Sequence, residues 1–284
     1  MNSENYKIGV DIGGTNMKAV LFDGEKVVEE TVLSTPPDNP EYFFNMLQAL
    51  IDPLAEKAEQ NKKKVEGLGL SIAGMHDFKH NIIVRSPNIP YLDGMEIISE
   101  VEKRIKPPVK FDNDANCFLR AEARAGSGIK FNNIFGITIG TGIGGAWWLN
   151  NKIYRGGHGS AGEVGHTIIQ FSSPMTLEKF YQEITDKNPL EIAEEAYRGD
   201  ERAEKVFEQI GEYLGYACAN IINSIDPEAI IIGGGVSASS ELFFPALKKT
   251  MHANIAGPLA TKTKVIKAKL ENNAGAIGAA MLFE

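Results

Sequence analysis

Residues 6–22 read YKIGVDIGGTNMKAVLF, two apolar runs on either side of a glycine pair. The runs Tyr6 to Ile12 and Met17 to Phe22 predict two strands joined by a turn at Gly13-Gly14, and Val27 to Leu33 predicts a third. Glu41 to Gln60 has apolar residues at helical spacing, which predicts a helix packed on this sheet. The chain therefore opens as an α/β domain with a glycine-turned meander.

The same pattern recurs at residues 134–149, IFGITIGTGIGGAWWL. Two apolar strands, Ile134 to Ile139 and Ile143 to Leu149, again flank a glycine turn, which indicates an internal duplication. We expect two α/β domains, a smaller one formed by residues 1–112 with a C-terminal helix at about 272–284, and a larger one formed by residues 113–271. Other elements are predicted between and after the meanders: strands Val65 to Ile72, Val109 to Phe111 and Ala229 to Ile232, a loop from Ala73 to Gly94, and helices Met95 to Arg104, Asp114 to Ala123, Thr176 to Thr185, Pro189 to Tyr197, Glu201 to Ser224 and Asn273 to Phe283.

Composition narrows the class of protein. The 284 residues are 43% hydrophobic and 23% charged, enough for two ordinary cores, and the net charge of -8 disfavours nucleic acid and anionic membranes as partners. Two cysteines are too few for a disulfide framework, and neither a secretory signal nor an apolar run of membrane-spanning length is visible. We expect a protein of the cytoplasm.

The first turn, from Asp11 to Asn16, has the residues of a phosphate-binding hairpin. Gly13 and Gly14 let phosphate oxygens approach backbone N–H groups, Thr15 adds a hydroxyl donor, and Asp11 suits Mg²⁺ or its water ligands. An ordinary hairpin has similar glycines, so this turn by itself supports both interpretations equally.

Two further glycine turns strengthen the phosphate hypothesis. Gly140-Thr141-Gly142-Ile143-Gly144-Gly145 holds more glycine than a turn requires and repeats the threonine of the first hairpin, which favours a shared phosphate clamp. It is neither a Walker loop nor a Rossmann fingerprint. Gly233-Gly234-Gly235 follows a predicted strand and suits either the close approach of a nucleotide or a tight strand-to-helix turn.

Polar residues cluster at two more points. A predicted strand passes into a predicted helix at Asp112-Asn113-Asp114-Ala115-Asn116. The helix dipole there favours an ionised carboxylate, which can act as a base. Asp and Asn are also the preferred N-cap residues, so capping is the alternative interpretation. Spacing does not decide between Asp112 and Asp114. In the glycine-rich loop from residue 156 to 166, Glu163 and His166 offer donors and acceptors for vicinal sugar hydroxyls, and metal ligation there lacks any cysteine partner.

Taken together, these motifs resemble the ROK family (repressors, uncharacterised frames and kinases) from Tyr6 to the last helix. Asp11 to Thr15 is similar to the family's first phosphate motif, Gly140 to Gly145 to its second, Gly233 to Gly235 to its adenosine motif, and Asn273 to Ala280 to its closing helix. The resemblance implies an actin-like ATPase (ribonuclease H-like) α/β fold of two domains with a cleft between them.

The resemblance also assigns roles. It implies that Asp114 is the catalytic base. We expect Asp11 to hold Mg²⁺ either directly or through water. The implied sugar contacts are Ser71, Gly74, Asn88, Asn113, Asp114, Glu163, His166 and Glu178. The implied nucleotide contacts are Asp11, Gly13, Gly14, Thr15, Asn16, Lys18, Gly140, Thr141, Gly142, Gly233, Gly234 and Gly235.

The implied activity is transfer of the ATP γ-phosphoryl group to the C6 hydroxyl of a hexose, with Thr15 and Thr141 gripping the phosphates from opposite domains. Glucose is the first candidate; fructose, mannose, allose, N-acetylmannosamine and N-acetylglucosamine stay open, as does polyphosphate as donor. A non-catalytic sugar sensor is the alternative. The family's repressors resemble the chain too, but they carry an additional N-terminal DNA-binding domain. Because the first predicted strand begins at about Tyr6 and the net charge is -8, we expect a kinase rather than a repressor. A homodimer is implied by the resemblance alone.

The chain departs from the family at one point. Many members bind zinc through three cysteines and a histidine just after the Gly-His motif, whereas Phe171-Ser172-Ser173-Pro174-Met175 contains none of these residues. We therefore expect no zinc, and we expect packing to hold the segment that presents Glu178.

Overall fold

The computed structural model describes residues 5–185 and 188–284. They form two compact units: the first comprises residues up to 121 together with 155–160 and 273–284, and the second comprises 122–154 and 161–272. Each unit has its own hydrophobic core, and each is built on a five-stranded sheet.

The sheet of the first unit has the order β3-β2-β1-β4-β7. Strands β1, β2 and β3 are an antiparallel meander, while β4 lies parallel to β1 and β7 lies parallel to β4. A short antiparallel pair, β5 and β6, lies outside this sheet. The strands of this unit are β1 (Asn5–Ile12), β2 (Asn16–Phe22), β3 (Val27–Ser34), β4 (Lys64–Ile72), β5 (Met75–Asp77), β6 (Ile82–Arg85) and β7 (Val109–Asn113).

Helices cover this sheet. They are α1 (Pro40–Gln60), α2 (Ile97–Glu102), α3 (Asp114–Ala125), whose last turn belongs to the second unit, and α8 (Ala274–Ala280). Asn39 caps α1, and the helix buries an apolar face against β2 and β3. Helix α8 packs so closely on the sheet that a Cβ on Gly9 or Gly69 would lie 1.9 or 1.8 Å from an α8 carbonyl oxygen. Only glycine permits this approach.

The second unit repeats the first. Its sheet has the order β10-β9-β8-β13-β14, with β8, β9 and β10 in an antiparallel meander and β13 parallel to both β8 and β14. The strands are β8 (Ile134–Ile139), β9 (Ile143–Leu149), β10 (Lys152–Tyr154), β11 (Ile168–Gln170), β12 (Met175–Thr176), β13 (Ala229–Gly233) and β14 (Lys264–Lys267), and the helices are α4 (Leu177–Ile184), α5 (Pro189–Tyr197), α6 (Glu201–Ile225) and α7 (Ser240–Asn254). Equal strand order and direction in the two sheets confirm the predicted duplication and the actin-like ATPase fold.

Some local predictions were wrong. The predicted loop from Ala73 to Gly94 contains the β5–β6 hairpin and a 3₁₀ turn at Pro90–Leu92, because these strands are too short to show an alternating pattern. Helix α7 and strand β14 were not predicted. None of the helices in the described part of the chain combines the length and apolarity needed to cross a bilayer.

Candidate active site

The carboxyl ends of β1, β4 and β7 bring the predicted residues of the first unit to one edge of its sheet. The register pairs Asp11 with Ser71 and Ser71 with Asp112, so these three side chains lie in a row across neighbouring strands. Asn113 ends β7, and Asp114 begins α3. Ligands of α/β sheets bind at such an edge.

The first glycine hairpin continues directly from Asp11. The Gly13 N–H donates to the Asn16 carbonyl at 3.0 Å, and the hydroxyl of Thr35, the residue that follows β3, donates to the Gly13 carbonyl at 2.7 Å. The Thr35 N–H also donates to the Thr15 carbonyl at 2.8 Å. The turn is thus fixed by Thr35, while the side chain of Thr15 is exposed.

Asp11 lies at the base of this hairpin. The Ser71 hydroxyl donates to Asp11 Oδ1 at 2.6 Å. Burial raises the pKa of Asp11, although the Ser71 hydrogen bond and the charge of Lys18 lower it. Lys18, a predicted nucleotide contact, has its ammonium 3.1 Å from a Glu30 carboxylate oxygen. Ser71 is fully buried and hydrogen-bonded to Asp11, so its predicted contact with sugar stays a prediction.

The structure separates the two candidate bases. Asp112 is fully buried, and its Oδ2 accepts from Arg120 at 2.7 Å and from Arg155 at 2.6 Å. Burial alone would raise the pKa of Asp112, but the charges and hydrogen bonds of the two arginines more than offset it, so the pKa lies below its usual range. A buried carboxylate committed to two arginines is a poor proton acceptor for a substrate.

Asp114 differs from Asp112 in its exposure to solvent. Asn113 caps α3, since its Oδ1 accepts from the N–H groups of Ala115 at 2.9 Å and Asn116 at 3.3 Å. Asp114 is therefore held in the first helical turn, partly exposed, where the positive end of the helix dipole favours its ionised form. The side-chain amide of Asn113 also donates to the Gly74 carbonyl at 3.1 Å. Capping accounts for Asn113, and its predicted sugar contact stays a prediction.

Gly74 and Asn88 lie next to this edge. Gly74 has a φ of +126°, and a Cβ there would lie 2.2 Å from the Arg85 carbonyl oxygen, so only glycine fits. Asn88 is exposed, and a Cβ on Gly14 would lie 3.3 Å from the Asn88 side chain. Asn88, a predicted sugar contact, thus lies beside the first glycine hairpin.

The second glycine hairpin, within the second unit, is held by α4. The Gly140 N–H donates to the Gly142 carbonyl at 2.9 Å, and the Tyr181 hydroxyl donates to the Gly140 carbonyl at 2.8 Å. The N–H of Ile143, the next residue after Gly142, donates to Glu178 Oε2 at 2.8 Å. Glu178, predicted as a sugar contact, is therefore part of the hairpin's support, and Thr141 is exposed at the tip.

Glu163 and His166 lie together near Glu178. His166 Nε2 is 3.8 Å from Glu163 Oε2, and both side chains reach solvent. Burial raises the pKa of Glu163, the charge of His166 lowers it, and the charge of Glu178 raises it further. Two carboxylates and an imidazole form a set of acceptors and donors that suits vicinal hydroxyls.

The segment before Glu178 is ordered by its own contacts. Strands β11 and β12 pair antiparallel on either side of Phe171 to Pro174, and the Thr176 hydroxyl caps α4 by accepting from the Lys179 N–H at 3.2 Å. Leu177 and Tyr181 then bury the helix against the core. Hairpin, cap and packing together hold this segment.

The third glycine turn follows β13. Gly234 has a φ of +82°, and a Cβ there would lie 2.3 Å from the Ile139 carbonyl oxygen at the end of β8. The Ser237 N–H and hydroxyl both donate to the Gly234 carbonyl, at 3.0 and 2.7 Å. Gly233 and Gly234 thus lie beside the end of β8, the strand that leads into the second hairpin, and a 3₁₀ turn begins at Gly235.

Four supporting residues were missed from the sequence: Thr35, Arg120, Arg155 and Tyr181. Each is separated in sequence from the residue that it holds, so no local motif marks it. A weak signal existed for Arg155, which directly precedes the glycine-rich loop of Glu163 and His166.

Comparisons with known proteins identify the family to which the chain belongs. A model described as "ROK family" matches residues 7–284. The N-acetyl-D-glucosamine kinase of Pasteurella multocida is 29% identical over 98% of this chain and 99% of that protein, and the glucokinase of Halalkalibacterium halodurans is 28% identical over 99% and 96%. The crystal structure of a ROK family glucokinase from Streptomyces griseus in complex with glucose and AMPPNP has a TM-score of 0.83 and 28% identity, covering 98% of this chain and 99% of that one. The chain belongs to the ROK family.

Proposed function

We propose that the chain transfers the γ-phosphoryl group of ATP to the C6 hydroxyl of a hexose, with glucose as the first candidate. The chain is a sugar kinase; the substrate, the position of transfer and the role of each residue are the proposal. One observation carries it: Asp114 lies partly exposed in the first turn of α3, at the sheet edge that also holds Asp11 and the first hairpin.

In this reaction the attacking hydroxyl must lose a proton. Asp114 accepts it, since the helix dipole favours its ionised form, whereas Asp112 is committed to arginines. The N–H groups and threonine hydroxyls of the two hairpins bind the phosphates, and Gly233 to Gly235 let the nucleoside approach. Positioning and electrostatic stabilisation supply most of the catalysis in phosphoryl transfer.

Asp11 fits a magnesium ion. It is a partly buried carboxylate whose pKa is raised by burial, and a dication offsets this desolvation better than Lys18 does, because Lys18 also pairs with Glu30. Magnesium commonly binds one or two carboxylates together with substrate phosphates. When bound, it supplies positive charge that neutralises the phosphate oxygens.

In this proposal, side chains of each unit bind the sugar hydroxyls. They are Asn88 and Asn113 of the first unit and Glu163, His166 and Glu178 of the second. Ser71 and Gly74 would shape the loop beside them. N-acetylglucosamine is the second candidate substrate, since the Pasteurella multocida relative is an N-acetyl-D-glucosamine kinase. A homodimer belongs to the same proposal, and light scattering in solution tests it.

A substrate panel tests the activity. The purified protein is incubated with glucose, mannose, fructose, allose and N-acetylated hexosamines, each with Mg·ATP or polyphosphate, and phosphorylated sugar is measured by mass spectrometry. We expect a hexose phosphate with ATP, and we expect 6-deoxyglucose to remain unmodified because it lacks the attacking hydroxyl. Absence of product from every sugar would instead support a non-catalytic sensor.

The base is tested by Asp114→Asn. We expect kcat to fall about 10²–10⁴-fold, the usual contribution of a general base, with little change in sugar affinity by calorimetry. Asp52→Asn, an exposed carboxylate on α1, is the matched control and should keep wild-type turnover. Near-normal turnover of Asp114→Asn would show that another group takes the proton.

A further inference from the structure

Helix α4 controls the backbone of the second glycine hairpin through two side chains. The Tyr181 hydroxyl donates to the Gly140 carbonyl at 2.8 Å, and Glu178 Oε2 accepts the Ile143 N–H at 2.8 Å. Tyr181 is only 2% exposed, so its hydroxyl has a fixed position. The two bonds lie on either side of Thr141, the hydroxyl-bearing residue of the turn.

These bonds determine which way the peptide groups face. In a trans peptide the C=O of one residue and the N–H of the next point in opposite directions, and the described residues include no cis peptide bond. With the Gly140 carbonyl turned to Tyr181, the Thr141 N–H must point away from Tyr181. With the Ile143 N–H turned to Glu178, the Gly142 carbonyl points away from Glu178 and accepts from the Gly140 N–H at 2.9 Å.

Glycine makes this control necessary. Glycine populates both signs of φ, so peptide groups next to glycine reorient at low cost unless a partner holds them. A carbonyl turned toward a phosphate repels it, whereas an N–H attracts it. The orientation of the Gly140–Thr141 peptide therefore decides whether the turn attracts or repels an anion.

The first hairpin has the same arrangement with a different residue. The Thr35 hydroxyl donates to the Gly13 carbonyl at 2.7 Å, and Gly13, like Gly140, is the first glycine after the opening strand of its meander. In both units a side-chain hydroxyl thus holds the carbonyl of the same glycine position. The two duplicated sheets thus fix the first glycine carbonyl of each hairpin in the same way, by a hydrogen bond from a side-chain hydroxyl.

Glu178 also contacts the group of predicted sugar ligands. A Cβ on Gly142 would lie 2.6 Å from Glu178 Oε2, and one on Gly165, between Glu163 and His166, would lie 3.4 Å from Glu178 Cβ. Burial is the main reason that the pKa of Glu163 is raised, and the charge of Glu178 adds to this effect. One carboxylate is therefore in contact with the hairpin and close to the sugar ligands.

We propose that Tyr181 and Glu178 are positioning residues that hold the Thr141 N–H toward the nucleotide phosphates, and that Glu178 couples sugar binding to nucleotide binding. This inference rests on the proposed sugar-kinase function. A sugar hydroxyl at one carboxylate oxygen holds the Glu178 side chain in the rotamer in which Oε2 accepts from Ile143. Sugar and nucleotide should therefore each tighten the binding of the other by the same factor.

Tyr181→Phe tests the positioning role, because it removes one hydroxyl and keeps the ring. We expect the Kd of Mg·AMPPNP, measured by calorimetry, to rise about 3- to 10-fold, the value of one hydrogen bond. The Kd of glucose, or of the best sugar from the panel, should stay within about twofold. Tyr216→Phe is the matched control: its hydroxyl bonds to Glu212 on the same helix, α6, and its loss should leave both constants unchanged.

Two variants of Glu178 test the coupling. Glu178→Ala should weaken AMPPNP and sugar binding and abolish their mutual enhancement, whereas Glu178→Gln keeps an acceptor for the Ile143 N–H and should restore most of the AMPPNP affinity. This pair also decides the matter if Tyr181→Phe does not fold, which a thermal unfolding curve reveals.

Three results would overturn the inference. They are unchanged AMPPNP affinity in a folded Tyr181→Phe protein, loss of sugar affinity alone in Glu178→Ala, and equal AMPPNP affinities for Glu178→Ala and Glu178→Gln. If the wild-type protein binds AMPPNP and phosphorylates a sugar, these results leave the proposed function intact. A wild-type protein that does neither refutes both.

Discussion

Replacing Asp112 by asparagine should destabilise the protein strongly, although the side chain keeps its shape. Asp112 is fully buried, and Arg120, whose side chain is only 12% exposed, donates to its Oδ2 at 2.7 Å. The neutral amide can turn its oxygen to the N–H groups of Asn113 and Asn116, which places an NH₂ group against two guanidinium groups. A buried cation then has lost its counterion.

The cost follows from burial. Removing one partner of a buried ion pair costs about 3–5 kcal/mol. Arg155 is 37% exposed, so water stabilises its charge when the ion pair with Asp112 is lost, and the loss of this second ion pair adds little to the cost. At roughly 2–4 °C per kcal/mol, we expect the Tm at pH 7 to fall by roughly 6–20 °C. Arg155→Ala leaves Asp112 paired with Arg120 and should cost less, about 1–2 kcal/mol.

Acid provides a second readout. The native pKa of Asp112 lies below the ordinary value of about 3.9, so its contribution to stability is present above that value and is lost as the pH falls through the native pKa. Thermal unfolding followed by circular dichroism from pH 7 down to pH 2 should show this loss in wild type and a flatter curve in Asp112→Asn. If wild type and Asp112→Asn had equal Tm values at pH 7, or if their Tm values depended on pH in the same way, the charge of Asp112 would not stabilise the protein.

Two further substitutions test the packing of each unit. Gly69→Ala puts a Cβ 1.8 Å from the Ala279 carbonyl oxygen of α8, and we expect it to lower the free energy of unfolding in denaturant by about 3 kcal/mol. Gly257→Ala is the control, because its Cβ meets open space and should change this free energy little. Equal losses in the two variants would contradict the close approach of α8 to the sheet. Glu122→Gln should lower the free energy of unfolding by about 1–3 kcal/mol, because the buried carboxylate accepts three backbone N–H groups and the amide places a donor against the Ser127 N–H. Hydrogen exchange at the Ser127 N–H should be faster in this variant, and an unchanged exchange rate would argue against this hydrogen bond.

The sequence predicted the features whose causes are local. A glycine pair between two apolar runs suffices to predict the hairpins at Gly13 and Gly140, and helical spacing of apolar residues predicts α1 to within a residue at its start. The duplication was visible because the same local pattern occurs twice. These features need no knowledge of what packs against them.

The parts that could not be predicted depend on distant partners. The sequence does not distinguish Asp112 from Asp114, whereas the structure buries Asp112 against Arg120 and Arg155 and leaves Asp114 partly exposed. The hairpin β5–β6 is held by pairing rather than by an apolar pattern, so its residues appeared to form a loop. A motif thus identifies which residues can act, and the tertiary contacts determine which of them does.

The two glycine hairpins share one feature, a side-chain hydroxyl that donates to the carbonyl of the first glycine. Their supporting residues differ in type and in structural context, since Thr35 directly follows strand β3 and Tyr181 lies within helix α4. Both nevertheless donate a hydroxyl to the first glycine carbonyl, and both thereby turn the following N–H away from the support. Because a phosphate interacts with the N–H direction and not with the residue that fixes it, the requirement acts on peptide orientation. A search for the determinants of nucleotide binding in this chain must therefore include residues that never contact the nucleotide.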